Sequence, residues 1–336
     1  MITASPSTRL SPPATDWREL WRNAVTDSTE LLRLLGLEHL ADRLPRDDAG
    51  FAVRVPRGFV ARMRHGDARD PLLLQVLPQL AELDPTPGFA IDAVGDMQAR
   101  EARGVLHKYQ GRALLIASGS CAINCRYCFR RHFPYGEEMA AAGQWRQALE
   151  HVRQDPCITE LILSGGDPLA LATHKLEELS GGLAGIPQLV RLRIHTRLPV
   201  VLPERVDDAF VAWLDALPLQ KVVVLHANHA NEFDAQVDAA CARLRETGAT
   251  VLNQAVLLRG VNDDADTLAT LSERMFAAGV LPYYLHQLDR VQGAAHFEVD
   301  DARARALIEQ LRSRLPGYLV PKLVREVGGE PSKRPL

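Results

Sequence analysis

The chain has 336 residues, of which 46% are hydrophobic and 24% charged, and a formal net charge of −3 from 39 basic and 42 acidic side chains. These are globular proportions with length enough for a large core, and the near balance of charge points to neither nucleic acid nor membrane as a partner. The longest apolar runs, KVVVLHA and RALLIA, are too short to span a bilayer, and the N-terminus MITASPSTRLSPPATDW lacks a signal peptide's basic start and apolar stretch, so the expected compartment is the cytoplasm.

Residues 1–16 are rich in Ser, Thr and Pro and are expected to be disordered. From Trp17 to about Ala41 apolar residues recur at helical spacing, and residues 50–110 carry many turn signals with one or two short helices. Together they predict an N-terminal helical cap over 17–107. The rhythm then changes. Strand-like runs are expected at Ala113–Ser118, Glu160–Ser164, Leu189–Thr196, Lys221–Ala227, Thr250–Leu258 and Leu281–His286. Helical stretches are expected at about 139–153, 173–184, 204–216, 231–247, 264–278 and 300–314. Strands alternating with crossover helices require a parallel sheet, so the fold class is α/β over 108–315, with a C-terminal segment 316–336. Six units suit an incomplete barrel better than a doubly wound sheet; in both, chemistry belongs at the C-terminal strand ends.

The first strand leads directly into SGSCAINCRYCFRRHFPYG, which places Cys121, Cys125 and Cys128 within eight residues. That spacing is poor for disulfides and reads as a metal site. Thiolates are the usual ligands of iron–sulfur clusters, and three of them leave one iron of a four-iron cluster open to a small molecule. The alternative is a structural zinc, which normally takes four protein ligands; only His132 is at hand as a fourth. Cys157 and Cys241 read as structural, Cys241 as a buried thiol on an apolar helix face. The second strand runs into Ser164-Gly165-Gly166-Asp167, where glycines at a strand end admit close approach of a ligand to the backbone; a plain tight turn is the alternative.

The cysteine spacing with Tyr127 resembles the radical S-adenosylmethionine (SAM) signature, and Gly165-Gly166-Asp167 resembles the element that meets the methionyl amino group of SAM in those enzymes. Over residues 50–336, HKYQGRALL, CAINCRYCFRRHF, LILSGGDPL, RIHTRLPVVLP, LNQAVLLRGVND, YYLHQLDRVQGAAHF and VPKLVREVGGEPSKRPL resemble the lysine 2,3-aminomutase family. The resemblance implies a partial (β/α)6 barrel, a [4Fe–4S] cluster, SAM and pyridoxal 5′-phosphate (PLP). It implies that Lys333 in GGEPSK is the PLP Schiff-base lysine. Larger relatives carry a glycine run before this lysine; here the run is GGEPS. It assigns the PLP phosphate to Lys108, Tyr109 and Arg112, where the family more often has Arg at the first. It places Ser164, Gly165, Gly166, Asp167, His226 and Gln254 near SAM, although His226 reads equally well as a satisfied core histidine.

For the substrate, the resemblance assigns the lysine carboxylate to Arg130, with Arg131 as the competing choice. It assigns the distal ammonium to Asp289 and Glu326, where the family more often has Asp at the second. The implied reaction is a radical isomerisation of L-α-lysine to (R)-β-lysine, fed by a flavodoxin- or ferredoxin-type reductant. VPRGFVARM, LQVLP and a tail ending three residues after Lys333 resemble the members that serve β-lysylation of elongation factor P, which links the chain functionally to that factor and its lysine ligase. Competing readings are an aminomutase of catabolism or of another amino acid, and a non-enzymatic iron–sulfur or zinc module.

Overall fold

The computed structural model describes residues 16–137 and 145–336. The expected disorder of 1–16 and the start of the helix expected from 139 therefore lie almost wholly outside the described residues.

Ten strands form one sheet in chain order: β1 (Arg100–Ala102), β2 (Val105–Tyr109), β3 (Arg112–Ser118), β4 (Glu160–Gly165), β5 (Arg191–Thr196), β6 (Gln220–Leu225), β7 (Thr250–Val256), β8 (Leu281–His286), β9 (Lys322–Arg325) and β10 (Arg334–Pro335). The run β3 to β9 is parallel throughout, while β1, β2 and β10 pair antiparallel at the two ends. A doubly wound sheet reverses its strand order at a switch point; this one never does. The order is that of a barrel whose first and last strands do not pair, a partial TIM-type barrel.

The structure adds strands that hydropathy alone did not mark. Lys108, Tyr109 and Arg112 do not precede the first strand; they flank the tight turn of the β2–β3 hairpin, where Gly111 has φ +78. A seventh parallel strand, β9, extends the barrel past the expected six. It was hidden because β9 is only four residues long and offers no clear alternation.

The crossover helices are α5 (Arg146–Gln154), α6 (Thr173–Leu183), α8 (Asp208–Ala216), α9 (Ala235–Glu246), α10 (Ala265–Ala277) and α11 (Asp301–Arg312); α7 (Leu198–Val201) is one short turn after β5. Helices α8 and α9 begin four residues later than the expected 204 and 231, α10 and α11 within one residue of the expected 264 and 300, and an aspartate caps each start. Asp207, Asp234, Asp264 and Asp300 each accept a first-turn backbone N–H. The single helix expected over 17–41 is divided. Helix α1 (Trp17–Arg22) and α2 (Ser28–Leu34) are separated by a segment in which Val25 pairs with Val55, and Gly36 at φ +67 ends the second. Two further short helices, α3 (Arg57–Val60) and α4 (Pro71–Leu74), follow.

One apolar cluster runs without a break from Trp17, Val25, Leu31 and Phe59 along the helix-facing sides of the strands to Leu307 and Leu323. The N-terminal segment therefore shares the core that lies between the sheet and its crossover helices. Cys241 lies buried in that cluster as expected, whereas Cys157 is exposed.

Candidate functional site

The three cysteines occupy the loop after β3, and that loop is tied to the N-terminal segment at every turn. Asn124 N donates to Arg54 O at 3.0 Å, Asn124 Nδ2 to Ala52 O at 2.8 Å, and Arg126 N to Gln75 O at 2.9 Å. The Arg126 side chain is fully buried and meets Glu82, its Nε at 2.9 Å from Oε1 and its Nη2 at 2.5 Å from Oε2. Arg131 Nη2 reaches the same Oε2 at 2.9 Å. One carboxylate therefore holds two cations on either side of Cys128.

Cys121, Cys125 and Cys128 all line a cavity of about 330 Å³ at the C-terminal ends of the strands. Burial pushes the Cys128 thiol up to about 11 and Cys121 well above its ordinary value, with the neighbouring thiols adding to both. Metal binding would reverse this by displacing the protons. Among the described residues no three His, Cys, Asp or Glu side chains converge as a single ion requires, and His132 is engaged with Gln292 O at 3.3 Å. Three thiols on one loop, all lining the same cavity, are the soft ligands that an iron–sulfur cluster takes.

The glycine turn has a reason in the packing. A Cβ on Gly165, at φ +122, would stand 2.4 Å from Ser118 O, and one on Gly166 would stand 2.6 Å from Ser120 O. Gly166 N donates to Ser118 O at 2.7 Å and Asp167 N to Ser120 O at 2.8 Å. The glycines let the end of β4 lie against the start of the cysteine loop, a packing use closer to the plain-turn alternative than to ligand approach. Asp167 is likewise filled by protein donors: Thr196 Oγ1 at 2.7 Å, Leu169 N at 2.9 Å, Arg197 N at 2.7 Å and Leu198 N at 3.1 Å. Its carboxylate locks the ends of β4 and β5 together. Ser164 Oγ accepts from Arg130 Nη1 at 3.0 Å.

The opposite wall holds Lys333, brought there by the tail. Antiparallel pairing sets Arg334 opposite Arg325, which places Lys333 opposite Glu326 across the turn of Gly328 and Gly329. The Lys333 ammonium donates to Glu326 Oε2, and Tyr109 OH donates to Oε1 at 2.6 Å. Lys108 Nζ lies 3.6 Å from Glu326 and 2.6 Å from Asp96, whose other oxygen accepts from Arg130 Nε at 2.6 Å. Burial would raise Asp96, yet Arg130 and Lys108 together hold it below the usual carboxylate range. Glu326 is held down in the same sense, with Lys333 the main cation. The guanidinium of Arg112 stacks 4.6 Å above the Tyr109 ring.

Asp96 was invisible to the sequence reading, and it separates the two arginines. Arg130 lines the cavity; Arg131 turns away to Glu82 and to Gly293 O. Lys108 and Tyr109 are placed beside the cavity as expected, but here they are engaged by carboxylates. Asp289 also lines the cavity, and its Oδ1 is buried without a hydrogen-bond partner. Burial drives it up to about 7, only partly offset by Lys333. A buried carboxylate oxygen left unmatched in a polar cavity is a place for a cationic ligand.

Gln254, on β7, lines the cavity, as do His195, His226 and His286. His226 Nε2 is 2.8 Å from Tyr127 OH and its ring stacks on that tyrosine at 5.7 Å, so it is a satisfied histidine as well as a cavity wall. Burial, with the Arg197 cation, drives it down to about 3. His195 and His286 are buried with Nε2 unpartnered, and burial holds both rings neutral. Neither was singled out from sequence, although each stands on an inward-facing strand position.

No protein-family model matches the chain. It is 51% identical to the L-lysine 2,3-aminomutase of Escherichia coli (strain K12), over 97% of this chain and 96% of that one. The chain belongs to the L-lysine 2,3-aminomutase family. It is also 45% identical to the Haemophilus influenzae member of the family, over 95% of this chain and 94% of that one. Among solved structures, a radical SAM methyltransferase from Sphaerobacter thermophilus shares 20% identity at a TM-score of 0.42, over 66% of this chain and 68% of that one. The family name denotes an isomerase, and family membership agrees with a site that gathers thiols, two lysines and several carboxylates in a single cavity.

Proposed function

We propose that this chain catalyses the isomerisation of L-α-lysine to (R)-β-lysine, as a radical SAM enzyme that also uses PLP. The observation that carries the reading is the shared cavity. Cys121, Cys125 and Cys128 stand on one wall, Lys333 on another, and the unmatched Asp289 carboxylate between charged groups that suit an amino acid. The cluster and SAM supply a carbon-centred radical, and PLP supplies a π system that spreads unpaired spin.

The chain's own residues supply position, charge and exclusion of water. The three cysteines hold the cluster. Ser164, Gly165, Gly166, Asp167, His226 and Gln254 form the SAM side, Asp167 by keeping the turn rigid. Arg112, Tyr109 and Lys108 are the phosphate group's partners, with Lys333 as the Schiff-base amine. Arg130, held in place by Asp96, meets the substrate carboxylate, and Asp289 with Glu326 meets the distal ammonium. Pre-fixed charges of this kind lower the cost of orienting a substrate.

Anaerobic protein reconstituted with iron and sulfide, then given PLP, SAM, dithionite and L-lysine, should yield β-lysine detectable by chiral chromatography and mass spectrometry. Cluster-replete protein that leaves lysine unchanged would sink the proposal. The product would serve β-lysylation of elongation factor P through that factor's lysine ligase, with a flavodoxin- or ferredoxin-type electron donor. VPRGFVARM and LQVLP support that pathway. Deleting the gene should remove the β-lysyl mass from elongation factor P; an unchanged mass would refute the link. Among the described residues no helix is long and apolar enough to cross a membrane.

A further inference from the structure

We propose, resting on the reading that Cys125 is a cluster ligand, that Arg197 is a positioning residue which donates a hydrogen bond to that ligand's sulfur and thereby raises the reduction potential of the cluster. Arg197 follows β5 directly, in the RIHTRLPVVLP motif. Its Nη1 lies 2.7 Å from Cys125 Sγ and 2.7 Å from Tyr127 OH. Its Nη2 donates to Gln75 Oε1 at 2.7 Å and to Glu232 Oε2 at 2.9 Å. The backbone N–H of the same residue donates to Asp167. One residue thus joins the glycine turn to a cluster thiol.

The guanidinium is 93% buried, and its one carboxylate partner is shared. Glu232 Oε1 already accepts from Asn228 N at 2.7 Å, His229 N at 3.1 Å and Gln75 Nε2 at 3.2 Å. Those donors keep Glu232 ionised, so it offsets part of the arginine's charge, and what acts on the sulfur is chiefly the N–H that Nη1 directs at it. A reduced cluster carries one more electron than the oxidised form. A buried cation and N–H donor at a ligating sulfur favour the more negative state, and hydrogen bonds to sulfur are among the factors that set such potentials. Arg197 also fixes where Cys125 points, since its two Nη groups are anchored on Tyr127, Gln75 and Glu232 from three separate segments.

The test compares reconstituted wild type with Arg197→Gln and Arg197→Lys, first quantifying iron and sulfide and then titrating the cluster by dithionite with electron paramagnetic resonance. Circular dichroism and a thermal melt report folding. Arg197→Gln should show a ratio of reduced to oxidised cluster at least tenfold smaller at fixed solution potential, a shift of about 59 mV for a one-electron couple. Arg197→Lys, which keeps charge but loses the forked geometry, should shift less and in the same direction; it carries the test should the glutamine variant fail to fold. A purely structural role would lower the melting temperature and leave the potential of the surviving clusters where it was. Unchanged potentials in the folded variants would overturn the proposal, while four irons on wild type would leave the cluster reading standing. A wild type that takes up no cluster would instead remove the functional reading itself.

Discussion

Replacing Asp289 with asparagine should make the ligand-free protein more stable at alkaline pH and at the same time weaken its hold on lysine. The carboxyl of Asp289 moves from an ordinary 3.8 to about 7 because its burial is not matched by a partner. Below pH 3.8 both folded and unfolded chains carry the proton and nothing is lost. As pH rises, the unfolded chain releases it while the folded chain keeps it, so stability falls until about pH 7 and the penalty is then constant. Three pH units at 1.36 kcal/mol each set a ceiling of about 4 kcal/mol. The amide of the Asp289→Asn variant would not titrate. The stability difference between variant and wild type should therefore grow by roughly 3 kcal/mol between about pH 5 and pH 8.5, in favour of the variant. Urea unfolding of ligand-free protein at the two pH values measures it. Truncating one partner of a buried charge pair costs about 2–5 kcal/mol of binding, so the KM for lysine should rise about 30-fold or more. A stability difference that ignores pH, or a variant less stable at pH 8.5, would refute the account of Asp289 as an unmatched buried acid.

Three other outcomes follow from the same charge map. Glu82→Gln leaves Arg126 and Arg131 buried without their shared counter-ion; unfolding free energy should fall by about 3–5 kcal/mol, read from urea midpoints. Asp96→Asn frees Arg130 and Lys108 from their common anchor and should raise the KM for lysine about tenfold with a smaller change in kcat; an unmoved KM would rule out a positioning role. His195, His226 and His286 are held neutral below their ordinary 6.5, so the unfolded chain binds protons there that the folded chain refuses. Stability should be intact above pH 6.5 and fall as pH drops below it, and His226→Gln should remove about 1.36 kcal/mol per pH unit of that slope between pH 6 and 4.

The barrel was legible because its signals are local. Strand runs, amphipathic helical stretches and the Cys121-x3-Cys125-x2-Cys128 spacing each declare themselves within a few residues. The features that escaped are pairings of single charged residues brought together only by the finished fold. Glu82 and Arg126 are 44 positions apart, Asp96 and Arg130 are 34, and Cys125 and Arg197 are 72. No periodicity marks the second aspartate of DAVGDMQ, Asp96, as the anchor for two cations. The strand β9 was missed for a different reason: its value lies in what it carries at its end, Glu326, and not in an apolar pattern of its own.

The ligand-free cavity also contains a trial of its own specificity. Lys333, Glu326, Lys108, Asp96 and Arg130 alternate in sign along one chain of contacts. Glu326 in that chain already binds the ammonium at the end of a four-carbon stem, that of Lys333, which is the group the proposed substrate would present. Were Lys333 to give its amine to a carbonyl, Glu326 would lose the main cation that holds it down and keep Tyr109 and Lys108, and a substrate ammonium would take the place that Lys333 left. The Glu326 side chain reaches both Lys333 and Tyr109. Shortening it to Asp should loosen the grip on Lys333 before it alters the affinity for lysine. Tyr109 OH would then lack its acceptor in a half-buried position, a cost that falls on the folded protein and not on the ligand.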